Sequence, residues 1–367
     1  MKIDTRIADD LQGYVRCISE ITESVLRETV DEPGMQLPVL WYRGISDIQH
    51  SLVPSLFRTG TRATRSMRGD YSSLHYAEDI RTQHYIAKNN HFFQNEPSSR
   101  VEWLEVMQHH RVKTRALDWS ESSMHSLLFA LEAFLNDQEY DADDRRSAVP
   151  CVWVLEPAAL NRNIFRNIAD RIDTYEIMSL MDELNFSLRE KKKLKENLKK
   201  FSKFQIYDET KETGHLDYIL NLNVINDEIL RDRIRMHNLL LSGDVVNPYY
   251  YIISRIYSDG HIQKKRILPP LAIVQSYHSE RIKAQHGVFT IFPFNCEEEN
   301  DEWSRKCGVN PDAMENNRMA GEVLHKIIIA DPYKTAKELV ENGMNDSWLY
   351  PELPVASSAI ESRGLFY

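Results

Sequence analysis

Short apolar runs separated by irregular intervals constrain the fold of this chain more than any other feature of its sequence. Five of them have the length of a buried strand, at residues 37–42, 151–155, 272–275, 287–293 and 326–330. Helical spacing of apolar residues appears at 6–30, 101–108, 122–135 and 335–342. Strands and helices therefore mix without regular βαβ alternation, which predicts an α+β fold with a mixed sheet core.

Length and local composition predict how the chain is organised. A chain of 367 residues is long enough for about two domains. We expect an N-terminal helical segment at 1–36, a first part of the main domain at 37–157, a helical insertion at 158–240, and a C-terminal part at 241–367 that completes the α+β core. The lysine-rich run 191–200 in the insertion either contacts a phosphate backbone or forms a solvated helix face.

Composition excludes several classes of protein. A net charge of −10 argues against a general nucleic-acid coat protein, although a local basic groove stays open. No apolar run approaches the roughly 20 residues that span a bilayer, and the first residues lack the apolar region of a signal peptide. The 4 cysteines contain no CxxC pair, so a disulfide scaffold or a four-cysteine zinc site is not expected. We expect a reduced, cytoplasmic protein with no membrane partner and no metal.

The first candidate motif combines an arginine with a glycine where a strand is predicted to end. Tyr42 ends the apolar run 37–42, Arg43 and Gly44 follow it directly, and Arg58 comes 14 residues after Gly44. A guanidinium forks onto a phosphate, and a glycine lets the backbone approach the anion, so Arg43 is a candidate phosphate clamp with Arg58 as a second contact. The alternative is an ordinary surface turn that exposes Arg43.

The second motif is the dense polar segment 108–122, just before the apolar helical pattern 122–135. Ser120 or Ser122 is a candidate N-cap of that helix. Arg115 and Asp118 either serve a ligand or form a buried ion pair, and Trp119 is either a core residue or a stacking face for a flat ring. Because His109 and His110 are adjacent, they point in different directions, so a shared metal is not expected. The candidate ligand-binding residues of this segment are Gln108, His109, Thr114, Arg115 and Trp119.

The third motif lies at 281–291, where Gln285 and Gly287 stand at the start of a strand pattern. Gln285 in that position would hydrogen-bond either a ribose hydroxyl or the carbonyl of a neighbouring loop.

These motifs together resemble the FRG-domain family. Its aromatic-Arg-Gly tripeptide is similar to Tyr42-Arg43-Gly44, and its second signature, Gln-His-Tyr-Gly-x-Pro-Thr-Arg-Leu-Leu-Asp-Trp-Thr, is similar to residues 108–120. The resemblance covers about residues 37–135, with a weaker echo at 281–289. Arg111, Lys113 and Ala116 depart from the family pattern, which has Gly, Pro and Leu there. The family has no assigned biochemistry, so the resemblance implies a site more than an activity.

The order of elements is also similar to that of ADP-ribosyltransferases: a strand with Arg-Gly, a serine-containing turn into an apolar helix, a strand, and a late strand with Glu or Gln. This similarity implies NAD as substrate, with Arg43 on the pyrophosphate and Ser120 and Trp119 or Tyr42 at the nicotinamide riboside. Asp118 or Gln285 would act at the ribose, where a carboxylate stabilises an oxocarbenium-like centre. A glutamine instead of a glutamate at position 285 is a departure from that pattern.

Three functions are therefore expected as alternatives. The first is an NAD-dependent ADP-ribosyltransferase-like enzyme with a protein or RNA acceptor, acting as a toxin or a host-defence effector, phage defence included. The second is a nucleotide or nucleic-acid binding module without turnover, which the lysine-rich run 191–200 and the arginine-rich stretch 58–68 favour. The third is a metal-independent, nuclease-like hydrolase with His109 as base and Asp118 as its orienting carboxylate.

Overall fold

Eight strands form one mixed sheet in the part of the chain that the computed structural model describes. The described residues are 3–29, 39–58, 71–93, 97, 100–135, 148–161, 163–164, 225–226, 257, 268–274, 284–294, 313–344 and 346–349. The strands are β1 (Asp4–Ala8), β2 (Trp41–Ile45), β3 (Ala116–Ser120), β4 (Cys151–Leu155), β5 (Ile225–Asn226), β6 (Leu271–Val274), β7 (Gly287–Ile291) and β8 (Leu324–Ile329).

The helices lie between these strands without regular alternation. They are α1 (Leu11–Thr29), α2 (Tyr71–Asn89), α3 (Arg100–His109), α4 (Ser123–Leu135), α5 (Arg318–Gly321), α6 (Pro332–Glu341) and α7 (Asp346–Leu349), with 3-10 turns at Asn90–Phe92 and Met314–Asn316. None of these helices is both long enough and apolar enough to cross a bilayer.

The strand order is β1-β8-β4-β2-β3-β7-β6-β5. The pairs β1–β8 and β5–β6 are parallel, and the other neighbours are antiparallel. The sheet is therefore mixed, and the predicted α+β class is confirmed.

Alternate residues of the central strands enter two separate cores on opposite faces of the sheet. In β4, Cys151, Trp153 and Leu155 pack into one core. Val152 and Val154 pack into the other, which α1, α4 and α6 cover. A strand alternates its side chains between faces, so a strand buried on both faces is apolar throughout, as β4 is.

The N-terminal segment differs from its prediction. The helix expected over 6–30 begins only at Leu11, because Asp4–Ala8 forms the edge strand β1 beside β8. Nearly all of the predicted helical insertion 158–240, with its lysine-rich run, lies outside the described residues, as does most of the arginine-rich stretch 58–68. Within the insertion, Ile225–Asn226 forms a short strand that pairs with β6.

Helix α4 lies against β2 at unusually short range. Its first turn is capped by Ser122, whose hydroxyl accepts a hydrogen bond from the His125 N–H at 3.3 Å, as one of the two predicted N-caps requires. A Cβ atom added to Gly44 would lie 1.9 Å from the Ser126 carbonyl oxygen and 2.7 Å from the Ala130 nitrogen. Only a glycine permits this approach of helix to strand.

A histidine between two carboxylates fastens the edge strand β1 to the sheet. His325 of β8 holds Asp4 through Nδ1 and Glu156 through Nε2, each at 3.1 Å, and Arg6 is also paired with Asp4. Burial lowers the pKa of His325, but the hydrogen bonds to Glu156 and Asp4 outweigh this effect, so its pKa lies above the usual 6.5.

We expect this histidine to make the protein less stable as the pH rises. A raised folded-state pKa means that the folded protein binds the proton more tightly than the unfolded chain, so the stabilisation is complete below about pH 6.5 and is lost as pH rises through the folded-state pKa. Urea denaturation of the wild type and His325→Gln should show their largest difference in unfolding free energy near pH 6 and a smaller one near pH 9. A difference that grows with pH would contradict the expectation.

Candidate functional site

A cleft opens where two central strands separate. Strand β2 pairs with β4 over five residues and β3 pairs with β7 over five, but β2 and β3 share only the pair Tyr42–Ser120. Beyond that pair the two strands diverge. The resulting cleft has a volume of about 1130 Å³ and is lined by β2, β3, residues 46–58, the end of α3, one side of α4 and the start of β7.

Arg43 stands on the β2 side of the cleft, within the strand rather than at its end as predicted. Its Nη1 donates to the Asp118 carbonyl oxygen at 2.5 Å and lies 3.8 Å from the Asp118 carboxylate. Its Nε is buried and has no hydrogen-bond partner in the described part of the chain. Burial lowers the pKa of Arg43, the charge of Asp118 raises it, and the nearby Arg58 lowers it again.

Asp118 faces Arg43 from β3, and its side chain is 49% exposed. The Gln108 amide at the end of α3 donates to Asp118 Oδ2 at 3.1 Å. The Thr114 hydroxyl in turn donates to Gln108 Oε1 at 2.7 Å. The cleft therefore contains a guanidinium and a carboxylate that are held against each other by hydrogen bonds from three separate segments.

The model of the FRG domain family matches residues 39–139 of the chain. Residues 39–139 are an FRG domain. The match includes Arg43, Gln108 and Asp118, as the resemblance of the motifs implied. No curated protein and no solved structure gives a significant match to the chain.

The FRG domain supplies most of the cleft but not all of it. It contains β2, β3, α3 and α4. Strand β7, which forms the second half of the third motif, lies outside the matched residues. Strand β7 pairs with β3 of the domain over its whole length, from Ser120–Gly287 to Ala116–Ile291. The C-terminal part of the chain thus completes the wall that the FRG domain begins.

Arg115 of the FRG domain was predicted to bind a ligand, but it lies in the protein interior. Its side chain is fully buried and does not line the cleft. Its Nε donates to Glu78 Oε2 of α2 at 2.8 Å, and its Nη1 donates to the Phe292 carbonyl at 2.7 Å. The buried ion pair that was expected as the alternative therefore exists, but with Glu78 and not with Asp118.

Two other predicted ligand contacts are largely occupied by the fold. Trp119 is 4% exposed, and its indole N–H donates to Thr290 Oγ1 at 3.0 Å, so little of the ring reaches the cleft. Tyr42 is 8% exposed on the α4 side of β2, where burial raises its pKa to about 12. Neither ring offers a whole face to a flat ligand.

Ser120 and Gln285 are joined to each other and to the C-terminal part of the chain. The Ser120 hydroxyl donates to the Gln285 carbonyl at 2.7 Å and accepts from the Ser122 N–H at 3.0 Å. The Gln285 side-chain amide donates to the Leu349 carbonyl at 2.6 Å. The structure thus shows a bond to a main-chain carbonyl, as in the second alternative predicted for Gln285, but Leu349 ends helix α7 and is not in a loop.

The remaining predicted residues differ in their access to the cleft. Arg58, His109 and Gly44 line it, whereas Thr114 is fully buried beneath Gln108. The hydrolase hypothesis pairs His109 with Asp118, but the polar contacts of this carboxylate go to Gln108 and Arg43.

Helix α4 contributes a wall that the sequence motifs did not predict. Ser126, Phe129, Glu132 and Ala133 line the cleft. Their spacing marks one side of a helix, but spacing alone does not tell which side faces a cleft. Within the described ranges, no group of three or more His, Cys, Asp or Glu side chains is arranged to hold a metal ion.

Proposed function

We propose that the cleft binds NAD and that the protein is an ADP-ribosyltransferase-like enzyme. The observation that carries this proposal is the pair of opposite charges at the opening between β2 and β3, where the Arg43 guanidinium faces the Asp118 carboxylate at 3.8 Å. The guanidinium suits the pyrophosphate of a dinucleotide. The carboxylate suits the positive charge that develops on the ribose when its bond to nicotinamide breaks.

Cationic groups in the cleft support a phosphate-bearing ligand. Arg43 keeps a buried Nε without a partner in the described residues, and Arg58 is close enough for its charge to lower the pKa of Arg43. Arg58 forms no ion pair with a carboxylate among these residues, and its Nε is oriented by the Val53 carbonyl at 2.5 Å. Two neighbouring guanidiniums repel each other, and an anion between them relieves that repulsion.

The size of the cleft supports a ligand larger than a single anion. Its volume of about 1130 Å³ lies just above the range of about 300–1,000 Å³ for small-molecule sites. Phe57 and Phe289, each 4% exposed, add a small apolar area to its lining.

The proposed reaction transfers ADP-ribose to an acceptor. The bond between ribose C1′ and the nicotinamide nitrogen breaks, its electron pair leaves with nicotinamide, and positive charge develops on the ribose. The acceptor's nucleophilic atom then bonds to C1′ and releases its proton to water. The Asp118 carboxylate stabilises the developing charge, and Arg43 holds the pyrophosphate.

Labelled NAD tests this proposal. We expect the purified protein, incubated with NAD and a cell extract, to release nicotinamide and to transfer the adenylate label to a macromolecule. Arg43→Ala should lower kcat/KM by about a hundredfold or more, because a charge-assisted phosphate contact is lost. Arg43→Lys should recover only part of it, since a lysine keeps the charge without the planar fork.

The control is Arg318→Ala, which removes an arginine with a 90% exposed side chain outside the cleft and should leave turnover unchanged. Protease or RNase treatment of the labelled product distinguishes a protein acceptor from an RNA acceptor. A cytoplasmic toxin or a defence effector against phage is the biological role that we propose with this activity. Equal turnover in Arg43→Ala and wild type would contradict the proposed clamp.

One observation favours a second candidate, a nucleotide-binding module without turnover. The Gln285 side-chain amide donates to the Leu349 carbonyl, so this residue, which lies in the turn just before β7, offers its side-chain N–H to the fold rather than to a ribose. Calorimetry together with the nicotinamide-release assay separates the two candidates. A binding module would bind NAD in the calorimeter, would lose that binding in Arg43→Ala, and would release no nicotinamide.

A further inference from the structure

The two carboxylate oxygens of Asp118 have different surroundings. Oδ2 accepts the Gln108 amide at 3.1 Å and lies 3.8 Å from Arg43 Nη1. No described donor reaches Oδ1, and the side chain is 49% exposed in the cleft. Asp118 is therefore anchored through one oxygen and leaves the other for a ligand.

The chemistry of the contact dictates how the Gln108 amide is turned. A carboxylate only accepts hydrogen bonds, so the NH₂ group of Gln108 must be the side that meets Asp118. Its Oε1 then points the opposite way and needs a donor, which is the Thr114 hydroxyl at 2.7 Å, while the Ser55 hydroxyl lies farther from the same oxygen, at 3.5 Å. The reverse orientation would place two oxygen atoms against each other at 3.1 Å.

The Thr114 hydroxyl is itself fixed as a donor toward Gln108. Its Oγ1 already accepts a hydrogen bond from the Ala116 N–H at 3.2 Å, which directs the hydroxyl proton to Gln108. Thr114 is fully buried. Its own N–H donates to Ser55 Oγ at 3.1 Å, so the loop around residue 55 holds it in place.

We infer that Thr114, acting through Gln108, is a positioning residue that turns Asp118 so that Oδ1 faces the cleft and the ribose of the substrate. Neither the threonine nor the amide needs to touch NAD for this role, which replaces the ligand contacts predicted for both from the sequence. The catalytic consequence rests on the proposed function, whereas the geometry of the hydrogen bonds does not.

A pair of substitutions at Thr114 tests the catalytic consequence. Thr114→Val keeps the shape of the side chain and removes the hydroxyl, so Gln108 and Asp118 lose their fixed orientation. We expect kcat for nicotinamide release to fall about 10- to 100-fold, the effect of misplacing a reacting group, with KM for NAD within about twofold because Arg43 is untouched. Thr114→Ser keeps the hydroxyl and should recover most of kcat.

The matched control is Thr335→Val, which removes an equally buried hydroxyl that bonds Asp331 at the start of α6, outside the cleft lining. It should leave kcat and KM unchanged. If Thr114→Val kept the kcat of the wild type, or if KM and kcat changed together in Thr114→Ser as well, the positioning role would be overturned.

A second measurement does not depend on turnover. In protein labelled with ¹⁵N-glutamine, the side-chain amide signals of Gln108 are identified by their absence in Gln108→Met. We expect these signals to move toward the position of free glutamine in Thr114→Val and to stay in place in Thr114→Ser and Thr335→Val. Unchanged Gln108 signals in Thr114→Val would overturn the inference.

The two measurements separate the failure of this inference from the failure of the proposed function. A wild type that binds NAD without releasing nicotinamide would contradict the transferase proposal, and the Gln108 signals would then decide the positioning role alone. Turnover in the wild type together with unchanged Gln108 signals in Thr114→Val would leave the transferase proposal and overturn the inference. Gln108→Met, a change at the cleft wall, repeats the kcat test if Thr114→Val fails to fold.

Discussion

Gly44→Ala is expected to destabilise the fold by roughly 3–5 kcal/mol, the upper range for a single substitution. The added Cβ would lie 1.9 Å from the Ser126 carbonyl oxygen and 2.7 Å from the Ala130 nitrogen, both in the backbone of α4. A clash with a flexible side chain is relieved by rotation, but here the whole helix must move away from β2. Urea denaturation followed by circular dichroism measures the loss as a lower unfolding midpoint.

The control for this experiment is Gly13→Ala in α1. There the new Cβ would meet the side-chain oxygen of Asp10 at 3.2 Å, with the nearest backbone atom 3.6 Å away. Alanine is also the better helix former, so this variant should equal the wild type in stability or exceed it slightly. A Gly44→Ala variant as stable as Gly13→Ala would mean that α4 does not pack against β2 as described.

The structure gives a different reason for the glycine at position 44 from the one that the sequence indicated. The sequence motif indicated a glycine that lets the backbone approach an anion, because it follows Arg43 directly. In the structure the space beside Gly44 is filled by α4. The glycine therefore fixes how close the helix comes to the strand that carries Arg43, and it shapes the cleft through packing.

Apolar runs predicted the elements that are buried on both faces of the sheet. Strand β4 lies at 151–155 as expected, and α4 begins one residue after the predicted start at 122. Strand β4 is buried over its whole length, and α4 buries seven of its thirteen residues, so the local composition of each segment reports its environment. The order of these strands and helices along the chain could therefore be predicted from the sequence, and this order led to the α+β class.

Strands β1 and β3 were not predicted, for two different reasons. Strand β1 lies at the edge of the sheet and four of its five residues are at least partly exposed, so Asp4–Ala8 shows no apolar run. Strand β3 contains Asp118 and Ser120, which the motif placed in a turn before a helix. Its strand conformation depends on pairing with β7, about 170 residues further along the chain, and no local pattern carries that information.

The candidate site was predicted in its composition but not in its connections. The motifs brought Arg43, Gln108 and Asp118 together correctly, since all three line one cleft. They did not show that Arg43 lines the cleft whereas Arg115 is buried, because this difference depends on the residues that each arginine contacts. Glu78, which decides the place of Arg115, stands 37 residues away in a polar stretch without any periodic signal.

Arg115→Met is expected to destabilise the protein by about 3–5 kcal/mol, because it leaves a buried carboxylate without its ion-pair partner. Glu78 and Arg115 are both fully buried, and their side chains are joined at 2.8 Å. Arg100 lies 3.7 Å from Glu78 and replaces only part of the lost attraction. The Phe292 carbonyl also loses the Arg115 donor at 2.7 Å. Urea denaturation should show the loss as a lower midpoint.

A double variant separates the charge from the packing. Glu78→Met combined with Arg115→Met removes both charges while keeping volume, so it should recover at least half of the stability that Arg115→Met loses, as apolar replacements of buried ion pairs do. The recovery stays incomplete because the Phe292 carbonyl still lacks its donor. Arg318→Met, with a 90% exposed side chain, is the control and should change stability by less than about 0.5 kcal/mol. A double variant less stable than Arg115→Met would show that Glu78 stabilises the fold through contacts other than its charge on Arg115, and the buried ion pair would no longer explain why this arginine is withheld from the cleft.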